Sequence, residues 1–261
     1  MTSQNTPPEQ VIFVGGAPRS GTTLAHALIC SAPDVSNYHA EISFYQGLMV
    51  TLDYGLQNWS IHTEDYFPDQ AAYVDMIGEL STTILNRVAA NLGNPRILCV
   101  KDPMLTPRFP VLAQMHPDAK FVTVTRHPDD VVRSRQAVHE NLHGPDSFTI
   151  GDVQRVAQEY VQFYAAVLAG EFGDRHFMVR YDDLGDPAIQ QQLAQFCGVE
   201  AFDMSQLWKG QKIRAGEPAN SPKLGGAIDT SSRLGGLPAD WSELTGAMCA
   251  SMMRQLGYER R

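Results

Sequence analysis

Four short apolar runs punctuate a chain otherwise patterned for helices: VIFVGG (11–16), RILCV (96–100), KFVTVT (120–125) and HFMVR (176–180). Their length and β-branched content predict buried strands. Amphipathic stretches between and after them predict helices over 23–31, 73–93, 108–116, 130–138 and 153–173, with a last one over 239–257. The long segment at 153–173 ends in glycine, a common helix stop. Strands alternating with helices predict an α/β fold, with a mainly parallel central sheet buried on both faces and flanked by helices. Residues 1–10, polar with two prolines, are expected to form a flexible arm, and 11–261 a single domain. Between 209 and 238 the chain is rich in Gly, Pro, Ser and basic residues, which predicts a long functional loop.

Composition narrows the function classes. With 43% apolar and 19% charged residues over 261 positions, the chain is a globule rather than a disordered polymer. A formal net charge of −9 argues against a nonspecific nucleic-acid partner, while an anionic ligand remains compatible with a locally basic site. No run reaches the ~20 apolar residues of a membrane span, and MTSQNTPPEQ has no basic or apolar leader features, so a cytoplasmic protein with no membrane partner is expected. Cys30, Cys99, Cys197 and Cys249 lie far apart with no C-x-x-C pair and read as reduced thiols.

The most informative segment is Gly16-Ala17-Pro18-Arg19-Ser20-Gly21-Thr22-Thr23, between the first predicted strand and the first predicted helix. Glycines allow a sharp turn whose N–H groups approach a phosphate, and the helix N-terminus adds positive potential. Ser20, Thr22 and Thr23 offer hydroxyls and Arg19 a charged fork. The Gly16-to-Gly21 spacing matches the G-x-x-x-x-G-K-[ST] phosphate loop, but Thr22 stands where that pattern has lysine. Loss of that lysine argues against ordinary ATP or GTP hydrolysis.

The run IFVGGAPRSGTTL resembles the 5′-phosphosulfate loop of sulfotransferases that use 3′-phosphoadenosine 5′-phosphosulfate (PAPS), especially the bacterial and protein-tyrosine branches. Three further segments fall in that family's order. Val100-Lys101-Asp102-Pro103 resembles the strand-end Lys-Asp-Pro whose lysine reaches the bridging oxygen of the donor. Arg126, directly after a strand, and Ser134, eight residues on, resemble the 3′-phosphate motif; guanidinium and hydroxyl would converge on the phosphate that distinguishes PAPS. Val179-Arg180-Tyr181-Asp182-Asp183-Leu184 resembles the strand-end motif that implies Tyr181 near the adenine or ribose. By the same resemblance the 209–238 loop covers the nucleotide, with Ser221 and Lys223 as donors and Asp229 where a lysine is expected.

The resemblance implies in-line sulfuryl transfer from PAPS to a hydroxyl of a small-molecule acceptor, releasing adenosine 3′,5′-bisphosphate, with no metal required. Such chemistry rests on positioning and on stabilising charge in flight, for which Arg19, Thr22, Thr23 and Lys101 are placed. Glu41 is the leading candidate for the base, and burial is expected to raise its pKa. His39 is the rival. Met104 and Leu105 occupy the positions where cytosolic-type members carry a histidine, and Val138 stands where tyrosine-type enzymes often carry a basic residue. Loops over 42–72 and 139–152 are expected to shape the acceptor pocket, with Tyr54, Trp59, Tyr66, Phe67 and Tyr73 as lining or as core. A neutral or cationic alcohol or phenol is the preferred acceptor, given the −9 charge.

Two alternatives stand beside this reading. His139-Glu140-Asn141-Leu142-His143 spells H-E-x-x-H, a zinc-hydrolase pattern on a helix, with Glu159 as a third ligand by distance. Against it, Gly144-Pro145 ends the helix immediately after the second histidine. The other alternative is a catalytically silent nucleotide-binding protein.

Overall fold

The computed structural model describes residues 6–208, 228, 230 and 236–259. All four apolar runs form strands: β1 (Gln10–Gly15), β2 (Ile97–Lys101), β3 (Lys120–Thr125) and β4 (His176–Arg180). They pair in parallel in the order β2-β1-β3-β4. The described helices are α1 (Thr22–Ile29), α2 (Gln46–Gln57), α3 (Gln70–Asn91), α4 (Phe109–Met115), α5 (Pro128–His143), α6 (Ile150–Leu168), α7 (Pro187–Cys197) and α8 (Ala239–Gln255).

The strands read as unbroken apolar runs because both faces of the sheet are covered. Ile12 and Val14 of β1 pack with Cys99, Val122 and Val124 under Leu28 and Ile29 of α1 and Leu193 of α7. Phe13, one residue out of phase, packs with Leu98, Val100 and Phe121 under Leu52 of α2, Ile77 of α3 and Leu112 of α4. Beyond the β3–β4 side, α5, α6 and α8 bury a third cluster that includes Val132, Tyr160 and Met252. Met252 and Met253 fill core and Met248 packs against it.

Several expectations need correction. Helices α2 and α7 have no counterpart among the expected helices, and α2 makes part of 42–72 helical. Helix α6 starts at Ile150, after Thr149 donates its N–H to Asp152 Oδ2 at 2.9 Å, and ends at Leu168, five residues short of the expected glycine. Helix α5 runs on to His143, where Gly144 caps it at φ 97°. The chain is pinned to the sheet from Glu9, whose N–H donates to Arg96 O at 2.9 Å. Ser221, Lys223 and Asp229 lie outside the described residues.

Candidate functional site

Each strand delivers a residue to the same edge of the sheet. After β1 comes the Gly16–Gly21 turn; β2 ends on Lys101; Arg126 follows β3; Tyr181 follows β4. This is the carboxyl edge, where ligands bind in open parallel sheets.

The turn has the backbone that its sequence suggests. Gly16 and Gly21 have φ of 143° and 104°, and Arg19 holds a left-handed φ of 77°, uncommon for a residue with a side chain. A Cβ at Gly16 would run into the Val124 carbonyl, and one at Gly21 into the Tyr181 ring. Two distant residues brace the turn. Gly16 N–H donates to Thr106 Oγ1 at 2.7 Å, and Ala17 N–H donates to Tyr164 Oη at 3.2 Å, while that hydroxyl donates to Val124 O at 2.8 Å. Neither Thr106 nor Tyr164 was singled out from sequence, and no local pattern marks them. Ser20 and Thr22 are buried beneath the turn, with Ser20 N–H donating to Ala17 O at 2.9 Å, whereas Thr23 is exposed at the mouth.

Thr23, Lys101 and Glu41 meet there. Lys101 is buried, and its Nζ donates to Thr23 Oγ1 at 3.1 Å and to Glu41 Oε1 at 2.7 Å. Residues 35–42 run beside β2: Ser36 N–H donates to Ile97 O at 2.9 Å and Ile42 N–H to Lys101 O at 3.1 Å. That pairing sets Glu41 over the end of β2. The expected burial of Glu41 is not found; its side chain is 48% exposed and held by the lysine instead. His39 turns the other way, donating Nδ1–H to Asn37 O at 2.9 Å and presenting its ring to His26. Next to Lys101, Asp102 is buried, accepts from Gln46 Nε2 at 2.6 Å and caps the following turn through Met104 N–H at 2.9 Å. Burial pushes its carboxyl up, and the Gln46 and Met104 contacts oppose the push.

On the other side of the turn, Arg19 donates Nε–H to Ser134 Oγ at 3.1 Å, and the Arg126 guanidinium lies 4.2 Å over the Tyr181 ring. Arg126 Nε is buried with no hydrogen-bond partner among the described residues. Desolvation, then the positive fields of Arg126 and Arg135, pull the Arg19 pKa down. Crowded guanidinium groups with an orphan donor are what an anion of high charge would relieve. The residues present therefore fit a nucleotide that carries phosphate or sulfate groups at both ends. Among the sequence candidates, Thr23, Glu41 and Lys101 gather on one side of the turn, and Arg19, Ser134, Arg126 and Tyr181 on the other.

The aromatic segment after Glu41 divides. Tyr73 is buried with Phe67 against it at 5.1 Å, whereas Phe44, Tyr54 and Tyr66 are 64%, 66% and 80% exposed. His139 and His143 share a face of α5 with ring centroids 4.5 Å apart. The zinc-hydrolase alternative fails on its third ligand: Glu159 is paired with Arg135 at 3.0 Å and with Arg155, and Glu140 accepts from Gln136. Among the described residues, no three-ligand group forms at this pair.

Residues 10–203 match the model of the Sulfotransferase family. A putative protein-tyrosine sulfotransferase of Caenorhabditis briggsae is 30% identical over 128 residues, 48% of this chain and 42% of that protein. Protein-tyrosine sulfotransferase 1 of Mus musculus is 31% identical over 119 residues, 44% of this chain and 31% of that protein. The chain thus spans less than half the length of these curated relatives. Among solved structures, the sulfotransferase domain from the curacin biosynthetic pathway superposes with a TM-score of 0.57 at 19% identity, covering 98% of this chain and 99% of that one. A sulfotransferase from Alicyclobacillus acidocaldarius superposes with a TM-score of 0.52 at 16% identity, covering 97% of each. At these identities the likeness is one of fold.

Proposed function

The chain belongs to the sulfotransferase family, and from that premise we propose that it transfers the sulfuryl group of PAPS to a hydroxyl of a small-molecule acceptor. The observation that carries the reading is the Thr23–Lys101–Glu41 contact chain at the mouth of the phosphate turn. PAPS enters as co-substrate, supplying the sulfuryl group and leaving as adenosine 3′,5′-bisphosphate.

The residues divide the work. An ammonium has three N–H donors; two of those of Lys101 go to Thr23 and Glu41, and the third is left for the bridging oxygen as charge grows there. Lys101 holds Oε1 of Glu41, so Oε2 receives the proton of the attacking hydroxyl. Arg19 and Thr23, with the first-turn N–H groups of α1, surround the sulfuryl oxygens. Arg126 and Ser134 take the 3′-phosphate, and the Tyr181 ring, held by Arg126, stacks near the base. No step calls for a metal.

A second acceptor class, the tyrosine side chain of a peptide, is favoured by the names of the curated relatives. One experiment tests both: labelled PAPS offered with panels of alcohols, phenols, amines and tyrosyl peptides. Transfer to small alcohols or phenols is the expected result. Transfer confined to tyrosyl peptides would move the acceptor to the second class, and no transfer to any panel would leave a silent nucleotide binder.

A further inference from the structure

Beneath the catalytic edge lies a cluster that the proposed chemistry does not use. His26 and Cys30 stand one helical turn apart at the end of α1, and Cys99 faces them from β2; all three are buried. The His26 ring nitrogen and the two sulfurs lie within 4.8 Å of one another. Donor atoms around a tetrahedral zinc stand about 3.3–3.8 Å apart, given Zn–S near 2.3 Å and Zn–N near 2.0–2.1 Å. The observed spread is therefore a small closure away.

The histidines are already set as ligands. His26 donates Nε2–H to the Cys99 carbonyl at 3.2 Å, which fixes the tautomer and leaves a lone pair on Nδ1. That Nδ1 is buried with no hydrogen-bond partner among the described residues. His39 repeats the arrangement in mirror sense: Nδ1–H is given to Asn37 O at 2.9 Å, and Nε2 is buried without a partner. Its ring stands edge-on to His26 with centroids 4.9 Å apart. One ring nitrogen anchored to a backbone carbonyl and the other turned to an unpartnered, buried lone pair is the second-shell geometry of metal-bound imidazole. Leaving two such nitrogens buried and unpaired is otherwise unfavourable.

We propose that His26, Cys30 and Cys99 bind a structural zinc ion, with His39, whose ring stands beside His26 but outside that 4.8 Å group, moving in to bring Nε2 to the fourth position. Two thiolates and two imidazoles are the soft and borderline donors that select zinc over the hard cations. Binding releases the two thiol protons to solvent and involves no redox change. The ion would tie α1, β2 and the 35–42 segment together just below their exposed ends. Thr23 is one turn ahead of His26, Lys101 two residues past Cys99, and Glu41 two residues past His39. The zinc would thus hold the three elements whose tips carry the proposed chemistry, without touching the reacting atoms.

The test uses the full chain purified without chelators and needs no PAPS, so its outcome is independent of the proposed activity. Metal analysis should find one zinc per chain that survives dialysis. Replacement by Co²⁺ alone should give the thiolate-to-cobalt absorption in the near ultraviolet, lost in Cys30→Ser and retained in Cys249→Ala, whose buried cysteine lies outside the cluster. If Cys30→Ser does not fold, the wild-type cobalt spectrum decides. A wild-type chain that shows no thiolate band and fails to take zinc from a chromogenic chelator would overturn the proposal. So would a band unchanged in Cys30→Ser, or a Cys30–Cys99 disulfide found by mass mapping of the purified protein.

Discussion

Lys101 is the residue on which most of the proposed chemistry converges, because a buried ammonium joins Thr23 at the end of the turn to Glu41. Lys101→Ala should lower kcat by about 10²–10³, the usual cost of removing one donor to developing charge. Adenosine 3′,5′-bisphosphate should still bind to that variant. Glu41→Gln keeps the side chain's size and removes its basicity, so transfer should be abolished in a steady-state assay while bisphosphate affinity stays near wild type. Near-normal turnover in Glu41→Gln would remove the carboxylate from the mechanism. At this scale the placing of the Gly16–Gly21 turn, Lys101 and Arg126 at strand ends, with Ser134 on the helix that follows, is legible in the sequence because each sits at a strand end or a fixed offset from one. Thr106 and Tyr164 are not. Their side chains reach the turn across long stretches of sequence, and such contacts leave no periodic mark. The cluster of His26, Cys30 and Cys99 was equally hidden, since C-x-x-C spacing finds only ligands close in sequence. The expected burial of Glu41 was wrong because a neighbouring charge, not a dry pocket, holds it.

At the scale of elements, the four strands were readable because both faces of a parallel sheet demand apolar side chains. Helix α2 was obscured by Gly47 and Gly55 and by exposed Val50 and Tyr54, which blur its apolar stripe. Gly55 has a packing reason: a Cβ there would run into the Tyr73 ring. Helix α7 did carry end signals, Asp186 with Pro187 at its start and Gly198 in the left-handed region at its end, φ 75°. Asp186 Oδ1 accepts from Ala188 N–H at 2.8 Å, so Asp186→Ala should cost about 0.5–2 kcal/mol in urea unfolding, with activity per folded molecule unchanged. Tyr164→Phe should do more to function. It leaves the Ala17 N–H and Val124 carbonyl without their shared hydroxyl, which is expected to cost about 1–3 kcal/mol and to loosen the phosphate turn. Weakened bisphosphate binding alongside a lowered Tm is the outcome to look for; an unchanged affinity would mean that Thr106 alone braces the turn.

Across the whole molecule, the −9 charge and the arginine cluster of the carboxyl edge are two separate facts, and only the second concerns the ligand. Acid stability is also set at this scale. Burial lowers His116 and His176 to about 4, against about 6.5 in the unfolded chain. Between those values the unfolded state binds more protons, so the stability these two neutral imidazoles contribute is complete above about pH 6.5 and is lost as pH falls toward about 4. The urea midpoint should drop between pH 7 and pH 5, and less steeply in the His116→Gln/His176→Gln double variant; equal slopes would contradict the assignment. The proposed function requires that the sheet edge hold a nucleotide with a charged group at both ends. Calorimetric titration without added metal tests it most directly. Adenosine 3′,5′-bisphosphate should bind far more tightly than adenosine 5′-phosphate, with the difference largely lost in Arg126→Ala. Equal affinity for the two nucleotides in the wild-type protein would contradict it.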